Sequence, residues 1–126
     1  MHWIEWFIGP QLIGVVFLLA GFIQKKYPPK KINNYYGYRM PSAMKNQETW
    51  DEANRFSTAY MIKAGMVLIV TGFLVTLLLY CIPMPQKFKA VTLFLVILAA
   101  GMGSAISMIM ATEKHLSKTF DDRKYQ

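Results

Sequence analysis

The apolar residues of this chain fall into three long blocks, which cover residues 3–23, 60–82 and 90–110. Each block holds 21 or more residues and almost no charge, and about 20 helical residues are enough to cross the hydrocarbon core of a bilayer. A transmembrane β-barrel would need alternating apolar and polar positions, and stretches such as residues 66–70 do not alternate. The pattern therefore predicts an all-α integral membrane protein with three transmembrane helices, forming a single membrane domain over residues 1–126.

The first block resembles a signal peptide in its position but not in its flanks. No Lys or Arg precedes it, it carries Glu5, and it ends at the basic flank Gln24-Lys25-Lys26. A signal peptide has a basic start and a shorter apolar core, so we expect this block to be a retained span. Pro10 lies near the outer end of the block, where a helix tolerates proline better than at its middle.

Charge predicts the orientation of these spans. The chain carries a formal net charge of +7 although 54% of its residues are hydrophobic. Seven basic residues lie in the first connection and four in the tail, against two in the short second connection. Because basic connections stay in the cytoplasm, we predict an outside N-terminus, a cytoplasmic loop over residues 24–59 and a cytoplasmic tail over residues 111–126. Topology accounts for the basic excess without nucleic acid, and the predicted partner of the loop lysines is a bilayer with anionic headgroups.

Small residues recur four apart in the third block, and this spacing lets helix backbones approach closely. Their partner is either another span of the same chain or a second copy in a homo-oligomer. The short connection over residues 82–86 makes the second and third spans antiparallel neighbours. The small residues concerned are Ala99, Gly101, Gly103 and Ala105.

The first connection is long for a link between helices, and it divides into two parts. Residues 27–41 are rich in Pro, Asn, Gly and Tyr, a composition typical of turns and extended chain. Residues 42–57 predict a short helix that lies in the membrane interface and bends into the second span. Three local contacts are expected in this helix: an N-cap at Ser42, a second capping box from Thr49 to Glu52, and an ion pair of Asp51 with Arg55.

The polar residues of this connection are the strongest candidates for function. Asn46, Trp50 and Asn54 fall at i, i+4 and i+8, which places them on one stripe of a helix. The stripe has two interpretations, namely hydrogen-bonded packing of the loop, which is the usual fate of buried amides, or contact with a headgroup or peptide. The predicted cluster under the helices is completed by Arg39, Lys45 and Arg55.

The sequence offers little for catalysis. In the predicted topology His2 and His115 lie on opposite faces of the membrane, and Cys81 is the only cysteine. No metal-ligand spacing, phosphate-binding loop or serine nucleophile motif occurs. We therefore predict that the protein is not an enzyme and that it holds neither a metal nor another cofactor.

The first part of the loop carries Asn33, Gly37, Arg39 and Pro41, and the stripe Asn46, Trp50 and Asn54 follows it. In these residue types and their spacing, the loop resembles the SdpI family of bacterial membrane proteins. Met40 stands where that family commonly has Thr, and Asn54 stands where it often has His. The chain is similar to the C-terminal, three-span part of longer members. The positions in register are Asn33, Gly37, Arg39, Pro41, Asn46, Trp50, Asn54 and Arg55.

This resemblance implies immunity or stress defence at the bacterial cytoplasmic membrane, with a secreted toxin peptide and a cytoplasmic regulator as partners. Two alternatives stay open: an oligomeric transporter or channel subunit for a lipid or small molecule, and a membrane enzyme acting on headgroups or peptides. For the leading hypothesis, the candidate residues that bind a ligand or partner are Asn33, Tyr36, Gly37, Arg39, Pro41, Lys45, Asn46, Trp50, Asn54 and Arg55.

Overall fold

The computed structural model describes residues 3–121 and the side chains of residues 3–120. This part of the chain is all-helical and contains no strand, which confirms the predicted class. The second apolar block, except for its last residue, and the third block lie inside the two helices that are long and apolar enough to cross a membrane. His2 and residues 122–126 of the predicted tail lie outside the described part. In chain order, the elements are a 3₁₀-helix Ile4–Phe7, α1 Pro10–Lys26, α2 Gln47–Cys81, α3 Gln86–Leu116 and a π-helical turn Ser117–Asp121.

The first apolar block forms a shorter helix than predicted. A single helix from residue 3 is wrong, because the 3₁₀-helix Ile4–Phe7 ends first and α1 begins at Pro10. Proline has no N–H to donate and its ring clashes with the preceding turn, so it is tolerated at the first position of a helix and not within one. The 17 residues of α1 rise about 25 Å at 1.5 Å per residue.

The predicted interfacial helix over residues 42–57 is not a separate element. Residues 41–45 form turns, and the rest of that segment is the first part of the continuous helix α2. Asn46 caps α2, because its side chain accepts from the Thr49 backbone over 2.9 Å while Thr49 Oγ1 accepts from the Asn46 N–H over 3.2 Å. The capping box therefore starts at Asn46 and not at Thr49, and Ser42 is not the cap.

Helices α1 and α2 pack closely through glycines. A Cβ atom at Gly14 would lie 2.7 Å from the Gly65 carbonyl oxygen, and one at Gly65 would lie 2.8 Å from the Gly14 oxygen. This close approach is of the kind that small residues permit between membrane helices. In α3, by contrast, Gly103 has nothing within 4 Å of a Cβ position, and Gly101 meets only Ile13. The third block's role in an oligomer stays a prediction.

Helix α3 runs antiparallel to α2 after the short connection. The Tyr60 hydroxyl lies 2.7 Å from Ser107 Oγ, and His115 Nε2 lies 2.7 Å from Glu52 Oε1. The end of α1, the start of α2 and the end of α3 therefore meet with residues 27–46 at one end of the bundle, here called the loop end. The buried apolar side chains of the described residues are concentrated there, whereas much of the apolar surface of α2 and α3 is exposed.

Candidate functional site

Residues 31–37 of the loop form a turn shaped by Asn33. Asn33 Oδ1 accepts from the backbone N–H groups of Tyr35 and Tyr36 over 2.9 and 2.8 Å, and Asn33 Nδ2 donates to the Lys31 carbonyl over 2.9 Å. Asparagine favours such turns because its short amide reaches nearby backbone. The Tyr36 hydroxyl donates to the Tyr27 carbonyl over 2.7 Å and joins this turn to the end of α1.

Asn54 of α2 fixes the loop through hydrogen bonds of its side-chain amide. Its Oδ1 accepts from the Tyr38 N–H over 2.6 Å and from Gln24 Nε2 over 3.3 Å. Its Nδ2 donates to the Trp50 carbonyl over 2.9 Å and to the Tyr38 carbonyl over 3.4 Å. Asn54 is only 5% exposed, so each of these bonds replaces one to water. The amide therefore holds the end of α1, the loop and α2 together.

Gly37 is required where the loop passes Asn54. Its φ is +99°, a conformation that glycine adopts without the steric penalty of other residues. A Cβ atom at this position would also approach Asn54 Oδ1 and lie 2.7 Å from Pro29 Cγ. Conformation and space thus both demand glycine here.

Trp50 fixes the first part of the loop. The side chain is fully buried, and its Nε1 donates to the Pro29 carbonyl over 2.7 Å. One turn earlier, Gln47 Nε2 donates to the Lys30 carbonyl over 2.6 Å. Buried indole N–H groups normally find such a partner, and here the partner is loop backbone.

A carboxylate on α3 holds the second part of the loop. The Tyr38 hydroxyl donates to Glu113 Oε1 over 2.6 Å, and Ser42 Oγ donates to the same oxygen over 2.5 Å. Burial of the Tyr38 phenol raises its pKa, and the hydrogen bond and negative charge of Glu113 raise it further. The phenol is therefore a permanent donor, and the bond ties the loop to the end of α3.

Glu52 joins α2 to α3. Its carboxylate pairs with Arg55 and lies 2.7 Å from His115 Nε2, and the His115 ring stacks on Phe56 with centroids 4.3 Å apart. The hydrogen bond from Arg55 lowers the pKa of Glu52 from 4.5 to about 2, against partial burial, and the His115 contact adds to the lowering. The expected pair of Asp51 with Arg55 is wrong, because Asp51 Oδ1 accepts from Gln47 Nε2 over 2.7 Å.

The structure separates the predicted site residues into two groups. Asn33, Tyr36, Gly37, Asn46, Trp50 and Asn54 make the turn, cap and hydrogen bonds that fix the loop. The other group lies on the exposed surface and consists of Arg39, Pro41, Lys45 and Arg55.

The exposed cations of that second group do not form one cluster. Arg39 donates to the Asn34 carbonyl and lines a cavity of about 440 Å³ with Met108. Lys45 lines a different cavity near Glu113, and Arg55 lines a third one. The predicted site is therefore a folded loop with outward-facing cations and not a single pocket around Arg39.

Several residues that build this site were not predicted from the sequence, among them Gln24, Tyr38 and Glu113. The sequence did contain a signal for Gln24. Two glutamines and two glycines of α1 are spaced so that they lie on one face of a helix. The face includes Gln11, which is 2% exposed and donates from Nε2 to the Trp6 carbonyl over 2.6 Å. Its buried positions are Gln11, Gly14, Gly21 and Gln24.

Metal ligation has no candidate among residues 3–121, where no three His, Cys, Asp or Glu side chains come together. The carboxylates of the loop end accept from protein donors instead: Glu113 from Tyr38 and Ser42, and Glu52 from Arg55. Chemically, the arrangement fixes a backbone and presents cations on its surface.

Comparison with known proteins identifies relatives of this chain. The SdpI/YfhL protein family matches the chain over residues 30–112, which confirms the resemblance seen in the loop. The chain is 44% identical over 61 residues to the uncharacterized protein YfhL of Bacillus subtilis (strain 168), a match that covers 48% of this chain and 56% of the relative. The chain thus spans about half the length of the curated relative that it matches. No solved structure matches it.

Proposed function

Because this chain belongs to the SdpI/YfhL protein family, we propose that it is a bacterial cytoplasmic-membrane protein of immunity type, protecting the cell against a secreted antimicrobial peptide. The observation that carries the proposal is the extent of the family match, residues 30–112. That range includes most of the folded loop, the whole of α2 and α3 as far as residue 112. The function we propose is protection by binding or signalling, without a catalytic step.

The proposed topology has three spans, with the N-terminus outside and the loop end in the cytoplasm. Two observations support a spanning role for α1: it packs along α2 through Gly14 and Gly65, and Lys25 and Lys26 mark its last turn. The basic residues of the loop then lie on the cytoplasmic side, as the positive-inside rule requires.

The proposed working surface is the outward face of the loop. Tyr35 is 91% exposed, and Arg39 and Lys45 are exposed farther along the loop. The backbone below them is held by Trp50 and Asn54, so these side chains are presented from a fixed frame. A fixed basic surface suits an acidic cytoplasmic regulator, because complementary charge steers association.

Survival of a toxin-sensitive strain tests this proposal. Cells that express the wild-type chain are exposed to the secreted peptide, beside cells that express Arg39→Ala and the matched control Lys31→Ala. Both residues are exposed cations of the loop, but only Arg39 belongs to the motif shared with the family. We expect protection by the wild type and by Lys31→Ala, and loss of protection with Arg39→Ala at equal membrane abundance. A wild-type chain that confers no survival would overturn the immunity function.

A further inference from the structure

A groove of about 550 Å³ lies between the last turn of α1, the start of the loop and one face of α2. Its rim carries four cations, Lys25, Lys30, Arg55 and Lys63, and one carboxylate, Asp51. Arg55 is partly neutralised by Glu52, with which it forms an ion pair. The three lysines, however, have no ion-pair partner among the described residues. Such a concentration of one sign of charge around a concave surface attracts anions.

The walls of this groove are fixed by the contacts that order the loop. Pro29 is held by Trp50 Nε1, and Gln24 is held by Asn54 Oδ1 over 3.3 Å. Gln24, Asn54 and Thr58 line the groove and are each less than 8% exposed. The shape therefore exists before any ligand arrives, which reduces the entropic cost of binding.

The groove presents both charged and apolar groups along one face of α2. Along α2 it extends from Asp51 to Lys63, a distance of about 18 Å at 1.5 Å per residue. Ala59 and Ile62 contribute apolar lining next to Lys63, where the second apolar block begins. A free phosphate ion would use only the charged part, whereas an anionic phospholipid has a phosphodiester for the lysines and acyl chains for the apolar part.

We propose that this groove binds the phosphodiester headgroup of an anionic phospholipid from the cytoplasmic leaflet. Lys25, Lys30 and Lys63 bind the headgroup, and Ala59 and Ile62 contact the first part of an acyl chain. The site rests on the proposed topology, which puts the loop in the cytoplasm. It does not depend on toxin immunity, since it needs only α1, α2 and the loop between them. It differs from general attraction to a charged membrane, because the binding depends on which lysines line the groove.

Native mass spectrometry of the intact protein in dodecyl maltoside tests the site. The protein is mixed with equal amounts of palmitoyl-oleoyl phosphatidylglycerol and phosphatidylcholine, which share acyl chains and differ in headgroup charge. The first variant carries Lys25→Gln, Lys30→Gln and Lys63→Gln. The matched control carries Lys26→Gln, Lys31→Gln and Lys118→Gln, which remove the same charge from exposed lysines outside the groove.

We expect the wild type and the control to prefer phosphatidylglycerol by about tenfold or more, because each of the three groove lysines near an anionic headgroup strengthens binding by a factor of about five. The groove variant should lose most of this preference. An equal loss in the control would overturn the proposal, since bulk charge alone would then explain the binding. Displacement of the lipid by excess inorganic phosphate would also overturn it, because the site would then recognise phosphate without the acyl chain.

Discussion

The loop end and the rest of the helix bundle are held by different kinds of contact. At the loop end, buried side chains such as Trp50 and Asn54 bind backbone groups of the loop directly. Farther along, α1 and α2 meet through Gly14 and Gly65, and many apolar side chains are exposed. Hydrogen bonds are directional and specify one loop conformation, whereas glycine contacts specify only how closely two helices approach. This difference places the specific surface of the molecule at the loop end.

The largest effect should come from removing the amide of Asn54. Asn54→Ala leaves the Tyr38 N–H and the Gln24 amide without their acceptor. Because unsatisfied buried polar groups are costly, we expect a loss of about 2–4 kcal/mol in the stability of the loop end. Limited proteolysis of the loop in detergent should show rapid cleavage. Asn34→Ala, which changes an exposed asparagine of the same loop, should be cleaved at the wild-type rate. Equal resistance in both variants would show that the Asn54 amide does not hold the loop.

The contact between α1 and α2 should be the next most sensitive. A methyl group at Gly65 would lie 2.8 Å from the Gly14 carbonyl oxygen and from the Leu18 nitrogen, so Gly65→Ala forces the helices apart. We expect a loss of about 1–3 kcal/mol in unfolding by sodium dodecyl sulfate. Gly103→Ala is the matched control, because nothing lies within 4 Å of its Cβ position. If Gly103→Ala were the more damaging change, the close contact would lie at α3, between copies of the chain.

A smaller effect is expected where the loop meets α3. Tyr38→Phe removes the hydroxyl that donates to Glu113 over 2.6 Å and retains the ring. Removal of one such bond costs about 1–2 kcal/mol, which thermal unfolding monitored by near-UV circular dichroism would detect. Tyr35→Phe changes the same atom on an exposed ring and should leave the melting temperature unchanged. An unchanged melting temperature for Tyr38→Phe as well would mean that this bond contributes nothing to the loop end.

The smallest effect concerns acid stability. The pKa of Glu52 is lowered in the fold from 4.5 to about 2 by Arg55, with a further contribution from His115. Its contribution is therefore complete above pH 4.5 and is lost as the pH falls toward 2. Because the Arg55 side chain is 66% exposed, we expect the contribution of this ion pair to stability to stay below about 1 kcal/mol. Unfolding of Glu52→Gln should depend less on pH in this window than that of the wild type, and identical profiles would contradict the assigned pair.

The sequence was sufficient for the features that depend on local pattern. The second and third apolar blocks gave α2 and α3, and the loop motif identified the family. The predicted start of the first helix is wrong because Pro10 outweighs the apolar pattern around it and sets the first position of α1. The interfacial helix was wrong because Asn46, a strong N-cap, begins one helix that continues through the second block.

The composition of the site could be predicted only in part. Trp50 and Asn54 were found because they share a helical stripe, and the structure shows their hydrogen-bonded packing against the loop. Their partners depend on tertiary contacts that sequence spacing does not contain. Tyr38 and Glu113, for example, are 75 residues apart, and no local rule relates two residues at that separation.

Hydrogen–deuterium exchange of the wild-type protein in lipid nanodiscs tests most directly whether the loop end is a fixed surface. The Tyr38 N–H donates to the buried Asn54 Oδ1 over 2.6 Å, so its exchange requires the loop to open. We predict that this amide exchanges at least about a hundredfold more slowly than the amide of exposed Arg39 in the same loop. Equal exchange at Tyr38 and Arg39 would show a loosely held loop and would contradict the account.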